Sequence, residues 1–156
     1  MSKDIFCRSD FYDQVYYETK FMMVAYDITP ALPGHSLVIP KRHVGSIEKL
    51  SRSEVVDLYK VLRKVIPALL RIYGANSYVF TAQVGRYSGR SVPHLHFHLI
   101  PRSKADKYQD KNERLYKLLK DDRAKIAYVA RNREILRKRI EKDVLMLRKE
   151  FGYAGR

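Results

Sequence analysis

Three histidines alternate with apolar residues where residues 94–100 read HLHFHLI. Successive side chains of a β-strand point to opposite faces, so this spacing puts all three imidazoles on one face. Leu95, Phe97 and Leu99 then share the other face and can anchor the strand on a core. The prolines that flank the segment favour extended backbone in the residues before them. The pattern predicts a strand that presents three imidazoles to a cleft.

Such a face of histidines suits two kinds of chemistry. One metal ion can take two imidazoles spaced two residues apart, but His94 and His98 lie roughly 13 Å apart along a straight strand. A metal site would therefore need ligands from elsewhere in the chain. Alternatively, a neutral imidazole is a competent nucleophile at pH 7 when its second ring nitrogen donates to a carbonyl. We favour nucleophilic catalysis over the metal site and over three histidines without a joint role.

Hydrophobic periodicity predicts the elements that position this strand. Further strands are expected at 22–26, 36–39 and 77–84, separated by turns rich in glycine and proline. Residues 51–73 predict a long helix in which Pro67 is expected to introduce a kink or an early end. Its apolar stripe consists of Val55, Leu58, Leu62, Val65, Leu69 and Ile72.

A second apolar stripe near the C-terminus predicts another helix. Its members are Leu136, Ile140, Val144, Leu147 and Phe151. The predicted fold class is α+β, with a mostly antiparallel sheet, one long helix and a C-terminal helix packed on that sheet. We expect one domain over residues 1–156, because domains of about 100–150 residues are the commonest.

Charge and composition limit the class of protein. The chain has 156 residues, of which 31 are Lys or Arg and 17 are Asp or Glu, so the formal net charge is +14. This excess favours anionic partners such as nucleotides, nucleic acid or acidic membranes. A single cysteine, Cys7, excludes an internal disulfide framework and suits a reducing compartment. We expect a soluble protein of the cytoplasm, or of the nucleus as well, that does not enter membranes.

The basic residues are concentrated in the last third of the chain. Residues 101–156 hold 18 Lys and Arg against 9 Asp and Glu, a net charge of +9. Residues 103–114 are polar and predict a mobile loop. Residues 124–151 form a basic helical region, which we interpret as a solvated helix packed through its apolar stripe rather than as a polyanion-binding tail.

The histidine segment resembles the signature of the histidine triad (HIT) family, in which three histidines alternate with apolar residues. Residues 30–40, PALPGHSLVIP, are similar to the family's upstream block, and Gln83 with the turn at 85–91 is similar to its phosphate-binding approach. The region that starts at Arg133 resembles the fragile histidine triad branch. The resemblance implies a HIT-like fold, a homodimer with a sheet continuous across the interface, and hydrolysis of dinucleoside polyphosphates.

The resemblance also implies a role for each histidine of the segment. His96 is expected to be the nucleophile that attacks an α-phosphorus and forms a nucleotidyl-histidine. His94 would orient it through a backbone carbonyl, and His98 would contact the α-phosphate oxygens. His35 matches an upstream histidine that supports the triad, although a buried histidine in a turn is the alternative.

Substrate-binding roles follow from the same resemblance. Asp27 is expected to hold the ribose hydroxyls, unless it only closes an Asx turn. Phe6 and Leu37 are expected to wall the base pocket, unless they are plain core. The phosphate-binding candidates are Gln83, Gly89, Arg90, Ser91 and Val92, where Gln83 could equally be a strand-edge amide and Arg90, which replaces the branch's usual glutamine, could face solvent.

The sequence also indicates which metal ions and cofactors the protein would use. Mg²⁺ or Mn²⁺ is expected to be carried by the substrate phosphates, with no organic cofactor. Some family members hold zinc with two cysteines and two histidines. Here Cys7, His43 and His94 match three of those ligands but Asp4 replaces a cysteine, so we expect no bound metal. The alternative functions are a nucleoside phosphoramidate hydrolase of the same family and a nucleic-acid-binding module that uses the basic tail, which no recognised motif supports.

Overall fold

A computed structural model describes residues 4–90, 92–108 and 123–155 of the chain. Two consecutive 3-10 turns, Ile5–Cys7 and Ser9–Gln14, precede the sheet. The strands are β1 (Val15–Glu18), β2 (Met22–Tyr26), β3 (Ser36–Pro40), β4 (Ser77–Ala82) and β5 (Phe97–Arg102), and the helices are α1 (Arg52–Ile72) and α2 (Arg123–Phe151). Ser91 and residues 109–114 of the predicted mobile loop lie outside the described residues.

The five strands form one antiparallel sheet in the order β1-β2-β3-β5-β4. Both α1 and α2 pack on one face of the sheet, around a core that includes Val24, Val38 and Leu99. The opposite face is covered by the N-terminal turns, whose Phe6 and Phe11 pack against strands β1 to β3. The predicted α+β class, with a mostly antiparallel sheet and two main helices, is confirmed.

The histidine segment alternates as predicted, but its strand begins later. Leu95, Phe97 and Leu99 all belong to the core that faces α1 and α2. However, β5 begins at Phe97, whereas the sequence predicts a strand from residue 94. The reason is that the N–H of Leu95 donates to the carbonyl of Val44, in the loop after β3, at 2.6 Å. That bond fixes the segment to a loop instead of a neighbouring strand.

Helix α1 corrects two expectations. It continues through Pro67 to Ile72, so the early end, one of the two expected effects of the proline, was wrong. Val65, Ala68 and Leu69 around the proline are all buried, and this packing offsets the cost of about 3 kcal/mol that a proline brings to a helix interior. Val55, predicted for the buried stripe, is 49% exposed.

The first turn of α1 instead buries Glu54. Ser51 and Glu54 form a capping box, in which the side chain of each accepts from the backbone N–H of the other. Arg42 donates to both carboxylate oxygens of Glu54, at 2.9 Å and 2.8 Å. The Arg42 bonds outweigh the opposing effect of burial and lower the pKa of Glu54 to about 2.

Replacing Glu54→Gln should therefore destabilise the protein in a pH-dependent way. Because Arg42 is half exposed, we expect a loss of about 1 kcal/mol in the free energy of unfolding at pH 7. The folded pKa of about 2 lies below the ordinary value of 4.5, so the stabilisation is complete above pH 4.5 and is lost as the pH falls through 2. Urea unfolding at several pH values measures this, with the exposed Glu134→Gln as control. A difference between variant and parent that does not shrink with falling pH would contradict the assignment.

The C-terminal helix α2 is attached along its apolar stripe. Leu136, Ile140, Val144 and Leu147 are at most 4% exposed, and Phe151 packs beside Tyr16 and Tyr17. The helix departs from helical geometry at Asn132, with φ −115° and ψ 15°. None of the described helices is both long enough and apolar enough to cross a bilayer.

Candidate active site

The histidine segment borders a cavity of about 390 Å³ between the N-terminal turns, β3 and α2. Its wall combines an apolar surface with a few convergent polar groups, as ligand sites commonly do. The apolar lining is Ile5, Phe6, Phe11, Ile28, Leu37, Val92, Pro93, Val129 and Ala130. The polar lining is Asp4, Arg8, Gln14, Asp27, Thr29, His96, His98 and Arg133.

His96 is oriented by the backbone of its own segment. Its Nδ1 lies 2.8 Å from the carbonyl oxygen of His94, which can only accept, so Nδ1 carries the proton and donates. In the neutral imidazole the lone pair is then on Nε2. The Phe6 ring packs edge-on at 5.1 Å between centroids. This is the tautomer that a nucleophilic histidine needs.

His98 is held in the opposite tautomer by a relay. The N–H of Ala31 donates to Nδ1 of His35 at 3.1 Å, so a neutral His35 carries its proton on Nε2. That Nε2 lies 2.9 Å from Nδ1 of His98 and donates to it. His98 therefore carries its proton on Nε2 and offers a donor. With 5.2 Å between the His96 and His98 ring centroids, a lone pair and an N–H donor stand side by side.

Asp27 closes a turn and also lines the cavity. Its Oδ1 accepts from the N–H of Thr29 at 2.7 Å and from the Thr29 hydroxyl at 3.2 Å, which is an Asx turn. Its Oδ2 lies 3.6 Å from Nε2 of His35. The side chain also lines the cavity, where a carboxylate can accept from ribose hydroxyls.

His94 supports the site from behind, within a cluster of potential metal ligands. Its Nε2 donates to the carbonyl of Pro40 at 2.8 Å, and its Nδ1 lies 3.2 Å from Asp4. Asp4 also pairs with Nδ1 of His43 at 2.6 Å, and the Sγ atom of Cys7 lies 3.7 Å from Oδ2 of Asp4. Burial acts to raise the pKa of Asp4, but His94 and the other partners hold it below the ordinary value.

The ligand atoms of Asp4, Cys7, His43 and His94 lie within 4.8 Å of one another. A thiolate, a carboxylate and two imidazoles are a donor set that zinc accepts. The sequence-based expectation that no metal is bound here stays a prediction.

Only one of the described phosphate-binding candidates, Val92, lines the cavity. Gly89 has a backbone φ of 85°, a conformation that residues other than glycine rarely adopt. Arg90 donates from Nη1 to the carbonyl of Gly45 at 2.8 Å. Val92 lines the cavity, whereas Gln83, Gly89 and Arg90 do not belong to the described lining. Phe6 and Leu37 line it and are also part of a core cluster, and their role as walls of a base pocket stays a prediction.

Residues 8–105 match the HIT domain family, about two thirds of the chain. The chain belongs to this HIT domain family. A bis(5'-nucleosyl)-tetraphosphatase [asymmetrical] of Schizosaccharomyces pombe is 38% identical over 114 residues, which are 73% of this chain and 62% of that protein. A bis(5'-adenosyl)-triphosphatase of Dictyostelium discoideum is 28% identical over 121 residues, 78% of this chain and 80% of that protein.

A solved structure gives the same picture of the fold. The nitrilase–histidine triad fusion protein NitFhit of Caenorhabditis elegans superposes with a TM-score of 0.58 and 33% identity. That similarity covers 67% of this chain and 25% of the NitFhit chain. The chain spans less than two thirds of the length of several curated relatives that it matches, among them 62% of the S. pombe protein.

Part of the cavity wall comes from residues that no sequence pattern pointed to. Phe11 and Gln14 come from the second N-terminal turn, and Val129, Ala130 and Arg133 come from α2. Helix α2 lies outside the span that matches the HIT domain. Its packing against the N-terminal turns is a contact between segments over 100 residues apart, and no local pattern predicts it.

Proposed function

We propose that this HIT protein hydrolyses dinucleoside polyphosphates through a nucleotidyl-histidine intermediate on His96. The observation that carries the proposal is the 2.8 Å bond from Nδ1 of His96 to the His94 carbonyl, which makes Nε2 the reactive nitrogen. The names of the S. pombe and D. discoideum relatives support the substrate class.

In the first step, the Nε2 lone pair of His96 attacks the α-phosphorus and forms a P–N bond. The P–O bond to the leaving nucleoside di- or triphosphate breaks, and its electron pair stays on the leaving oxygen. That anion is already stabilised, so no strong general acid is needed. The His98 Nε2–H donates to a non-bridging α-phosphate oxygen, and the His94 carbonyl stabilises the imidazolium that forms.

In the second step, water attacks the same phosphorus. The P–N bond breaks, its electron pair returns to Nε2, the water proton goes to solvent, and a nucleoside monophosphate leaves. Mg²⁺ or Mn²⁺ would reach the site on the substrate phosphates and neutralise their charge. The two carboxylates among the described cavity residues, Asp4 and Asp27, already accept from neighbouring donors, so the substrate phosphates would be the main ligands of this ion.

A product assay with diadenosine triphosphate in H₂¹⁸O tests the proposal. Attack at the α-phosphorus predicts AMP and ADP with the label in AMP alone. Label in ADP would place the attack elsewhere and overturn the mechanism. Added inorganic phosphate distinguishes the acceptor, because transfer to phosphate would yield two molecules of ADP.

The alternative enzyme, a nucleoside phosphoramidate hydrolase, would use the same attack on a P–N substrate. The ratio of kcat/KM for diadenosine triphosphate and for an adenosine phosphoramidate separates the two. A nucleic-acid-binding module predicts instead that His96→Asn still binds DNA in a salt-dependent manner.

Asp27→Ala should raise KM for ribonucleotide substrates and have a smaller effect on 2′,3′-dideoxy analogues. A buried hydroxyl left without its partner costs about 1–3 kcal/mol, so a KM increase of about tenfold is expected. Because loss of the Asx turn would affect both substrates alike, the ratio of the two KM values isolates the ribose contact. An equal increase for both substrates would assign Asp27 to the turn alone.

We also propose that the protein is a homodimer. Strand β4 is an edge of the sheet, and it exposes Tyr78 and Phe80. On α1, Val55, Val56 and Tyr59 are exposed as well. Pairing of two β4 edges would cover such surface and make the sheet continuous. Light scattering during gel filtration measures the mass, and Phe80→Lys should give a monomer.

A further inference from the structure

Arg133 is a polar residue of the cavity wall that the proposed mechanism does not use. It lies on α2, outside the span that matches the HIT domain, and its side chain lines the cavity. Its Nη1 is held 2.9 Å from Oδ2 of Asp10, in the second N-terminal turn. This single ion pair fixes one end of the guanidinium group.

The other edge of the Arg133 guanidinium is buried and unsatisfied. Nε and Nη2 have no hydrogen-bond partner among the described residues. A buried donor without an acceptor is costly, and these two nitrogens carry the parallel N–H groups of one edge of the plane. Burial acts to lower the pKa of Arg133, which Asp10 opposes. A bound group with two adjacent acceptors would satisfy both donors at once.

The aromatic residues show which part of a nucleotide would meet this edge. His96, Phe6 and Phe11 follow one another along the wall, with 5.1 Å and then 5.0 Å between successive ring centroids. Phe11 adjoins Asp10, the partner of Arg133. Phe6, Phe11 and Arg133 line the same cavity as His96. When the α-phosphate is at His96, the apolar part of this wall, to which Val129 and Ala130 of α2 also belong, suits the nucleobase.

The arginine side chain carries hydrogen-bond donors and no acceptor, so it favours a base that offers two adjacent acceptors. Guanine offers two adjacent acceptors, O6 and N7, to which arginine bonds in bidentate fashion. Adenine offers N7 beside an amino group, which would meet the second N–H of the arginine as a like donor. We propose that Arg133 reads the nucleobase and makes the site prefer guanine over adenine. This inference rests on the proposed function, because it takes the cavity as a nucleotide site.

Equilibrium binding of GMP and AMP, measured by calorimetry, tests the assignment without any turnover. The parent protein should bind GMP about tenfold more tightly than AMP, and Arg133→Gln should lose this preference or reverse it, because a glutamine amide can pair with N6 and N7 of adenine. Arg139→Gln is the matched control, because Arg139 lies on the same helix, is exposed and is not part of the described cavity lining. It should keep the preference. Equal affinities in the parent, or an unchanged preference in Arg133→Gln, would overturn the proposal.

A modified nucleotide tests the contact with Arg133 in the parent protein, so the result does not depend on whether Arg133→Gln folds. In 7-deaza-GMP a C–H replaces the N7 acceptor, so the parent protein should bind it several-fold more weakly than GMP. Equal affinity for GMP and 7-deaza-GMP would contradict bidentate contact. Guanine preference without dinucleotide hydrolysis would refute the proposed function alone, and hydrolysis without a base preference would refute the role of Arg133 alone.

Discussion

Replacing His96→Ala is expected to lower kcat for a dinucleoside triphosphate by at least about a thousandfold while the protein stays folded. Every covalent step is assigned to Nε2 of this ring, whose tautomer the His94 carbonyl sets at 2.8 Å. The structural cost should be modest. The ring is buried, and its loss removes the hydrogen bond to that carbonyl and the edge contacts with Phe6 and His98. Steady-state kinetics together with thermal unfolding measure the two effects separately.

Two variants strengthen the His96 test. His96→Gly leaves a space the size of the ring, and added imidazole should restore part of the activity because the external ring can act as the nucleophile. His96→Asn keeps a polar side chain of similar reach without a nucleophilic nitrogen and should stay inactive. Near-normal kcat in His96→Ala would mean that no covalent intermediate forms on this residue.

The sequence predicted the parts of the site that local patterns determine. Alternation in residues 94–100 placed Leu95 and Phe97 in the core, and both are buried there. That same alternation, combined with the family resemblance, pointed to His96 and His98, and both line the cavity. Phe6, Asp27 and Leu37, which rested on the resemblance alone, line it too.

Other parts depend on orientations that no spacing encodes. The tautomer of His98 depends on the turn between β2 and β3, where the N–H of Ala31 donates to His35 and so sets the tautomer of His35. His35 in turn donates to His98. Likewise, the Arg133 side chain enters the cavity wall because α2 packs against the second N-terminal turn through the Asp10 ion pair. Both arrangements join segments that are distant in sequence, so only the folded chain reveals them.

Truncation before Leu136 is expected to abolish soluble folding. It removes four almost fully buried aliphatic side chains, Leu136, Ile140, Val144 and Leu147. Each buried side chain of this size contributes about 1.5–3 kcal/mol. Their total is comparable with the whole stability of a small domain, about 5–15 kcal/mol.

Polar contacts of the same segment would be lost as well. Arg148 donates to the carbonyls of Tyr12 and Val15, each at 2.9 Å, and Tyr73 donates to Asp143 at 2.8 Å. Soluble yield and thermal unfolding of the truncated chain measure the outcome. A truncated protein with the parent's melting temperature would show that α2 does not stabilise the sheet.

A charge variant separates packing by α2 from steering by its positive charge. Changing Arg137, Lys138 and Arg139 together to glutamine keeps the buried stripe and removes three charges. The Debye length is about 8 Å at physiological salt, Lys138 and Arg139 are exposed, and Arg137 is already paired with Asp13 at 3.0 Å, so these charges act weakly on a substrate at His96. We therefore expect kcat/KM within a few-fold of the parent protein. A loss of about tenfold at 0.15 M salt would instead show that the basic helix steers the polyanionic substrate into the cavity.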